Sequence, residues 1–171
     1  MKIIFLDLDG VLNNWNHPDL IDLKNAKVLK KIITLSKAKL VLTSSNKYPI
    51  QRKNRKSIKG SYLKKYLDIL KSLGISFYDM TPYITENREL EIKAYLKSNP
   101  FITDFVIIDD EFVSSDLKEY QVLLDWHTGL LDLHIKPVLA VLNGNLEECQ
   151  EDYELSKTPT KSLMRINEYY K

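Results

Sequence analysis

The amino-acid sequence predicts an α/β fold, a three-layer sandwich whose central parallel sheet is covered by helices on both faces. Three observations carry that prediction. Short apolar runs rich in β-branched residues alternate along the chain with longer stretches of helical periodicity. The segments between the runs are long enough for the crossovers that parallel strands need, about a dozen residues or more. Three of the runs end directly in acids or hydroxyl residues, and in such sheets ligands bind beyond the carboxyl ends of the strands.

Lys2 to Leu6 is a mostly apolar run that stops at Asp7, the pattern of a buried strand leading into a functional loop. From Asp22 to Ser36, Leu23, Ala26, Val28, Leu29, Ile32, Ile33 and Leu35 recur near helical spacing, with lysines mostly on the other side, so an amphipathic helix is expected. Leu40 to Leu42 is a second strand, ending at Thr43, Ser44 and Ser45. Tyr62 to Leu73 repeats the helical pattern, Gly74 suits its C-terminal stop, and Ile75 to Tyr78 reads as a third strand. Arg88 to Leu96 is helical, Pro100 closes the region, and Phe105 to Ile108 is a fourth strand that runs into Asp109 and Asp110. Tyr120 to Leu124 is read as a fifth strand. Pro137 to Leu142 is read as a short helix, with Pro near its start and Gly144 just past its end.

A chain of 171 residues suits one domain. That domain is assigned to residues 1–144, with a tail, 145–171, packed on it or extending it. The tail combines acids at Glu147, Glu148, Glu151, Asp152 and Glu154 with Tyr153, Tyr169 and Tyr170, and its role stays open. An apolar fraction of 44% and a charged fraction of 28% exclude a disordered or fibrous chain. The apolar runs are far shorter than the roughly 20 residues of a membrane helix. The N-terminal run ends in acids and has no small-residue cleavage site, which argues against a secretory signal. Cys149 stands alone, which rules out an internal disulfide framework, so a cytoplasmic location is expected. A net charge of +2 is too small to indicate nucleic-acid binding by itself.

The chemistry-bearing pattern begins at Asp7-Leu8-Asp9-Gly10-Val11. Two carboxylates two residues apart follow a strand, and Gly10 allows the sharp turn that lifts both toward a ligand. One carboxylate can attack phosphorus to give an aspartyl-phosphate; a second can protonate the leaving oxygen and later activate water. Asp7 is assigned the first task and Asp9 the second, although a plain strand-ending turn has the same composition. Asp109 and Asp110 supply a second acidic pair at another strand end. Carboxylates converging on one edge repel unless a cation intervenes, and an all-oxygen set of Asp7, Asp9, Asp109 and Asp110 suits Mg²⁺. A solvated loop or a helix cap would also explain the second pair. Thr43 and Ser44 offer donors for phosphate oxygens, or equally for capping a helix. Arg88 or Lys93 supplies the positive charge, Arg with the advantage of its bidentate fork.

Taken in order, Asp7 to Asn13, Val41 to Ser45, Arg88 with Glu91-Ile92, and Val106 to Asp110 resemble the four motifs of haloacid dehalogenase-type phosphatases, whose fold is Rossmann-like. The chain is similar in particular to the small domain of that superfamily in Swiss Army knife RNA repair proteins, including a later Gly129-Leu130, over roughly residues 1–144. The resemblance implies Asp7 as nucleophile, Asp9 as acid and base and Thr43 as phosphate ligand. It also implies Mg²⁺ held by Asp7, the Asp9 carbonyl and Asp110, and it favours Arg88 over Lys93. The sequence departs from the family after the hydroxyl cluster, where Asn46 and Lys47 stand in place of the usual aromatic residue and arginine. The intervals 13–39 and 47–88 leave room for no or only a minimal cap, and a capless site would suit a polymer end or a protein-borne phosphate.

The expected activity is therefore a Mg²⁺-dependent phosphomonoesterase, with nucleic-acid ends as one substrate class. A small-molecule phosphatase acting on nucleotides or sugar phosphates, a non-catalytic binding protein of the same fold, and transfer to an acceptor other than water are the alternatives. Lys47, Arg52, Lys53, Arg55, Lys56, Lys59, Lys64 and Lys65 crowd one segment with Tyr48 and Tyr62 near its ends. That segment would track a phosphate backbone or simply be solvated. His17, His127 and His134 lack metal-ligand spacing and read as surface or core residues. Trp15 is a packing residue or a stacking surface for a base or sugar.

Overall fold

A computed structural model describes residues 1–15, 21–48 and 62–145 of the chain. Five strands form one sheet: β1 (Lys2–Leu6), β2 (Lys39–Leu42), β3 (Phe77–Met80), β4 (Asp104–Asp109) and β5 (Gln121–Leu123). All pairings are parallel and the spatial order is β3-β2-β1-β4-β5. The chain therefore winds outward from β1 in one direction, then returns and winds outward the other way from β4. The switch falls between β1 and β4, and beyond their carboxyl ends such a sheet opens its ligand crevice.

Alternation along the strands assigns each apolar residue to one face. Ile4, Leu6, Leu40, Leu42, Val106 and Ile108 point into the larger core, with residues from helices α1 (Leu23–Ser36), α2 (Tyr62–Ser72) and α4 (Ile135–Asn143). Ile3, Phe5, Val41 and Ile107 face the opposite side, where α3 (Arg88–Ser98) contributes Ile92 and Tyr95. The ring of Phe5 meets Tyr95 edge-on at 5.7 Å. The four residues Ile3 to Leu6 have no exposed surface, and burying each stabilises the fold by about 1.5–3 kcal/mol. A strand buried on both faces is the reason β1 reads as an unbroken apolar run.

Helix ends agree with the sequence. Asp22 caps α1 by accepting from the Lys24 N–H at 2.8 Å. Gly74 and Gly144 follow α2 and α4 at φ 72° and 70°, the left-handed conformation that ends helices cheaply only at glycine. The third strand is displaced from its expected place: it spans Phe77–Met80 rather than Ile75 to Tyr78. Ile75, 2% exposed, donates its N–H to the Leu70 carbonyl and belongs to the closing turn of α2. The described parts of the intervals after β1 and β2 hold loops, α1, α2 and β3, with no separate domain over the sheet's carboxyl edge. No helix among the described residues is long and apolar enough to cross a membrane. The tail beyond Asn145 lies outside the described residues, as does His17.

His134 is a core residue. Burial pushes its imidazole down to about 4, and its Nδ1 accepts from the Leu131 N–H at 2.9 Å. A histidine depressed in the folded state contributes stability that is present above its unfolded pKa of about 6.5 and is lost as pH falls toward 4. The urea midpoint is expected to fall between pH 7 and pH 4.5, and a His134→Asn variant to show a shallower decline. Identical pH profiles for the two proteins would refute a role for His134 in acid destabilisation.

Candidate active site

The register of the sheet builds the site. Leu6 pairs with Ile108, and the Asp7 N–H continues the ladder by donating to the Ile108 carbonyl at 3.1 Å. Asp7 and Asp109 thus leave neighbouring strands side by side at the switch point. Thr43 extends the other side, its N–H bonded to the Leu6 carbonyl at 3.0 Å. Carboxylate oxygens of Asp7, Asp109 and Asp110 lie within 4.8 Å of one another.

Burial pushes the Asp7 carboxyl well above the usual range; Asp109 adds to the rise and Arg88 opposes it. Burial also raises Asp109, against the Arg88 guanidinium and the Glu111 N–H, which donates to it at 2.9 Å. Asp110 is pushed up to about 6, by burial first and then by Asp109. Arg88, the first residue of α3, binds Asp109 through Nη1 and approaches Asp7 Oδ1 through Nη2 at 3.3 Å. Burial disfavours its charge, yet Asp109 and Asp7 together hold its pKa above the ordinary value.

Two buried oxygens here have no hydrogen-bond partner, Asp7 Oδ1 and Thr43 Oγ1. Buried polar atoms are rarely left so, and both belong to the residues just past the carboxyl ends of the adjacent strands β1 and β2. The donor set is all oxygen, and a divalent cation would favour the charged form of three carboxyls that burial pushes up, with Asp109 adding to the rise of Asp7 and Asp110. Asp7, Asp109 and Asp110 therefore fit Mg²⁺.

Asp9 is held apart from this cluster. Its Oδ1 accepts from Asn13 Nδ2 and from the Tyr66 hydroxyl, both at 2.9 Å, and its Oδ2 accepts from Asn46 Nδ2 at 2.6 Å. Gly10 follows at φ 69°, and a Cβ there would come within 2.3 Å of the Asp110 carboxylate. The glycine is thus needed twice, for its backbone angle and for room. Gly129, at φ 65°, plays a similar part behind the loop: its absent Cβ leaves space for Asn25 Nδ2 and the Val11 carbonyl. The Leu130 N–H binds that same carbonyl at 2.9 Å.

Above the acids opens a cleft of about 620 Å³, lined by Asp7, Asp9, Arg88 and Asp110 and, at its rim, by Trp15 and Trp126. A model of the family described as the HAD domain in Swiss Army Knife RNA repair proteins, HAD being the haloacid dehalogenase superfamily, matches residues 3–135. The chain belongs to that family. Comparison with curated proteins and with solved structures gives no match. HAD membership points to hydrolysis of phosphate esters, and the acidic cluster fits the Mg²⁺ that HAD enzymes use.

Of the residues singled out in the sequence, the structure brings Asp7, Arg88, Asp109 and Asp110 into direct contact or close approach, with Asp9 lining the same cleft. Ser44 caps the short turn Ser45–Lys47, accepting from the Asn46 N–H at 3.3 Å. That contact uses the hydroxyl oxygen as an acceptor. Lys93 is not brought to the HAD site. It lies further along α3, exposed and paired with Glu89 and Asp116, so Arg88 is the base that reaches the carboxylates.

Lys47 departs most from expectation. Instead of belonging to a solvated basic stretch it is fully buried, donating to Glu91 Oε2 at 2.6 Å and to the Thr43 carbonyl at 3.2 Å. Burial lowers its pKa and Glu91 works against that fall. Glu91 also accepts from the Ile84 N–H at 3.1 Å, in the loop that carries Thr85 and Glu86 at positive φ just before Arg88. One ion pair therefore fastens the Thr43 loop to the Arg88 loop. Of the remaining basic stretch, residues 49–61 lie outside the described residues, and Lys64 pairs with Asp68. Asn46, Tyr66 and Trp126 were missed as site residues by sequence reasoning because each enters the site through a partner distant in the chain, whereas Asn13, within the Asp7 to Asn13 motif, binds Asp9 four residues before it.

Removing one member of a buried ion pair strands the other and costs about 3–5 kcal/mol. Lys47→Met is expected to lose that much in urea denaturation, and Lys47→Met/Glu91→Leu to recover more than half. A single variant within about 1 kcal/mol of wild type would show that the pair does not hold the loops.

Proposed function

We propose that this HAD domain is a Mg²⁺-dependent phosphomonoesterase that works through an aspartyl-phosphate on Asp7 and acts on phosphorylated nucleic-acid ends. The observation that carries the reading is Asp7 itself: a buried carboxylate at the sheet's switch point, its Oδ1 without a hydrogen bond and ion-paired with Arg88 at 3.3 Å. Asp7 attacks phosphorus as the bond to the leaving oxygen breaks, and Asp9 delivers the proton that oxygen needs. Water then attacks the acyl-phosphate while Asp9 takes its proton, releasing phosphate and restoring Asp7. Arg88 balances charge on the phosphoryl oxygens and Thr43 Oγ1 donates to one of them. Asp7 and Asp110, with Asp109 beside them and the Asp9 carbonyl, would hold the cation, which when bound neutralises the converging carboxylates and the phosphate charge.

The nucleic-acid substrate rests on the family's association with RNA repair. It is supported by an open cleft with no cap domain among the described residues, since a polymer end needs an unobstructed approach. A cytoplasmic site of action fits the lone cysteine. The tail, 145–171, is assigned to the same domain, packed on it or extending it.

Phosphate release from an aryl phosphate and from 3′- and 5′-phosphorylated oligonucleotides tests the proposal, with and without Mg²⁺. The expected result is Mg²⁺-dependent release that Asp7→Asn lowers at least about a thousandfold, on the order of 4 kcal/mol in the barrier, with one oligonucleotide end preferred. Equal release by Asp7→Asn would eliminate the covalent mechanism.

A further inference from the structure

The two tryptophans of the chain are both exposed, Trp15 at 64% and Trp126 at 44%, and both lie on the rim of the cleft that contains Asp7. They come from different strand ends, Trp15 from the loop after β1 and Trp126 from the loop after β5, yet their rings meet edge to face at 5.1 Å and 86°. His127 packs on Trp126 at 4.1 Å with a tilt of 39°. Asp125 fixes His127 in turn, accepting from its backbone N–H at 2.9 Å and contacting its Nδ1 at 2.8 Å. The aromatic surface is therefore held in place by a carboxylate behind it, while most of Trp15 and much of Trp126 stay open to solvent. Exposing two large indoles side by side forgoes their burial, and such patches mark binding surfaces.

The charge of the cleft limits what that surface can bind. Among the described residues that line it, Asp7, Asp9, Glu86, Asp110 and Glu111 are acidic and Arg88 carries the positive charge. Among the described residues the cleft offers a phosphorylated chain little long-range attraction, and contacts that are not ionic would supply affinity for the part of the substrate next to the phosphate. Stacking of a base on an aromatic side chain supplies about 1–3 kcal/mol and tolerates any sequence, because every base has a π-face.

We propose that Trp15 and Trp126 form a stacking platform for the base adjacent to the scissile phosphate, so that the site selects phosphate esters of nucleotides or nucleic-acid ends over aliphatic phosphates. This rests on the phosphatase reading of the same cleft and adds the residues that choose the substrate. Trp126 acts on binding of the base, so its loss raises KM for base-bearing substrates far more than for a base-free phosphate.

Because the chain has no other tryptophan, their fluorescence reports the platform directly. The full chain with Asp7→Asn and Mg²⁺ is titrated with triadenylates phosphorylated at the 3′ or 5′ end and with abasic trimers carrying the same phosphates. The expected result is quenching by a triadenylate and none by the abasic trimers, with Trp126→Ala weakening triadenylate binding about tenfold, the equivalent of about 1.4 kcal/mol. In the active protein, Trp126→Ala is expected to lower kcat/KM for the triadenylate by a similar factor and to lower release from ribose 5-phosphate by much less. Equal affinity for triadenylate and abasic trimer, or an equal loss on both substrates, overturns the platform. Base-dependent quenching without phosphate release from any substrate would uphold the platform and refute the phosphatase reading; release without base preference would do the reverse.

Discussion

Asp7, Asp109 and Asp110 bring carboxylate oxygens within 4.8 Å of one another in a largely water-excluded corner of the sheet, and the surrounding structure is arranged around their repulsion. Two ionised carboxylates at that distance repel by on the order of 3–4 kcal/mol at an effective dielectric constant of about 20. The parallel pairing of β1 with β4 makes the approach unavoidable, since the register that buries Leu6 beside Ile108 also places the next residues together. Arg88 is the counter-charge that the chain itself provides, and its contacts with both Asp7 and Asp109 show where a cationic partner is needed. A divalent cation and a phosphate group together would meet the same need and leave Arg88 free to face the phosphate.

The loops around the acids are fixed by contacts that do not touch a reacting group. Gly10 gives Asp110 its room, and Gly129 lets the loop after β5 lie against the Val11 carbonyl. The Lys47–Glu91 pair joins the turn after β2 to the segment that presents Arg88, and Tyr66 reaches from α2 to orient Asp9. A buried ion pair is a poor source of net stability but a demanding geometric constraint, and here it spans two loops whose separation would determine the width of a phosphate site.

Most of the fold was legible from local pattern. β1 is apolar on both faces and stops abruptly at Asp7, so its limits could be read to the residue. α1 announces itself through its helical apolar spacing and a lysine-rich outer face. β3 was misplaced because Ile75 is apolar for a different reason, closing the end of α2 instead of entering the sheet. In the site, the acids were legible because each follows an apolar strand. Lys47 was not: surrounded by basic residues in the sequence, it is buried because a glutamate 44 positions away neutralises it. Asn46, Tyr66 and Trp126 share that property, since each acquires its role from a residue that only folding brings near. Arg88 and Lys93 were indistinguishable by composition, and their places on α3 separated them.

On the proposed mechanism, Asp7 receives a phosphoryl group in a site completed by a divalent cation. A crystal structure of the protein with Mg²⁺ and beryllium fluoride, a mimic of a phosphorylated aspartate, tests it most directly. The expected result is a beryllofluoride bonded to a carboxylate oxygen of Asp7, with Mg²⁺ ligated by Asp7 and Asp110 and a fluoride within hydrogen-bonding distance of Thr43 Oγ1. An unmodified Asp7 with the ion bound elsewhere would contradict it.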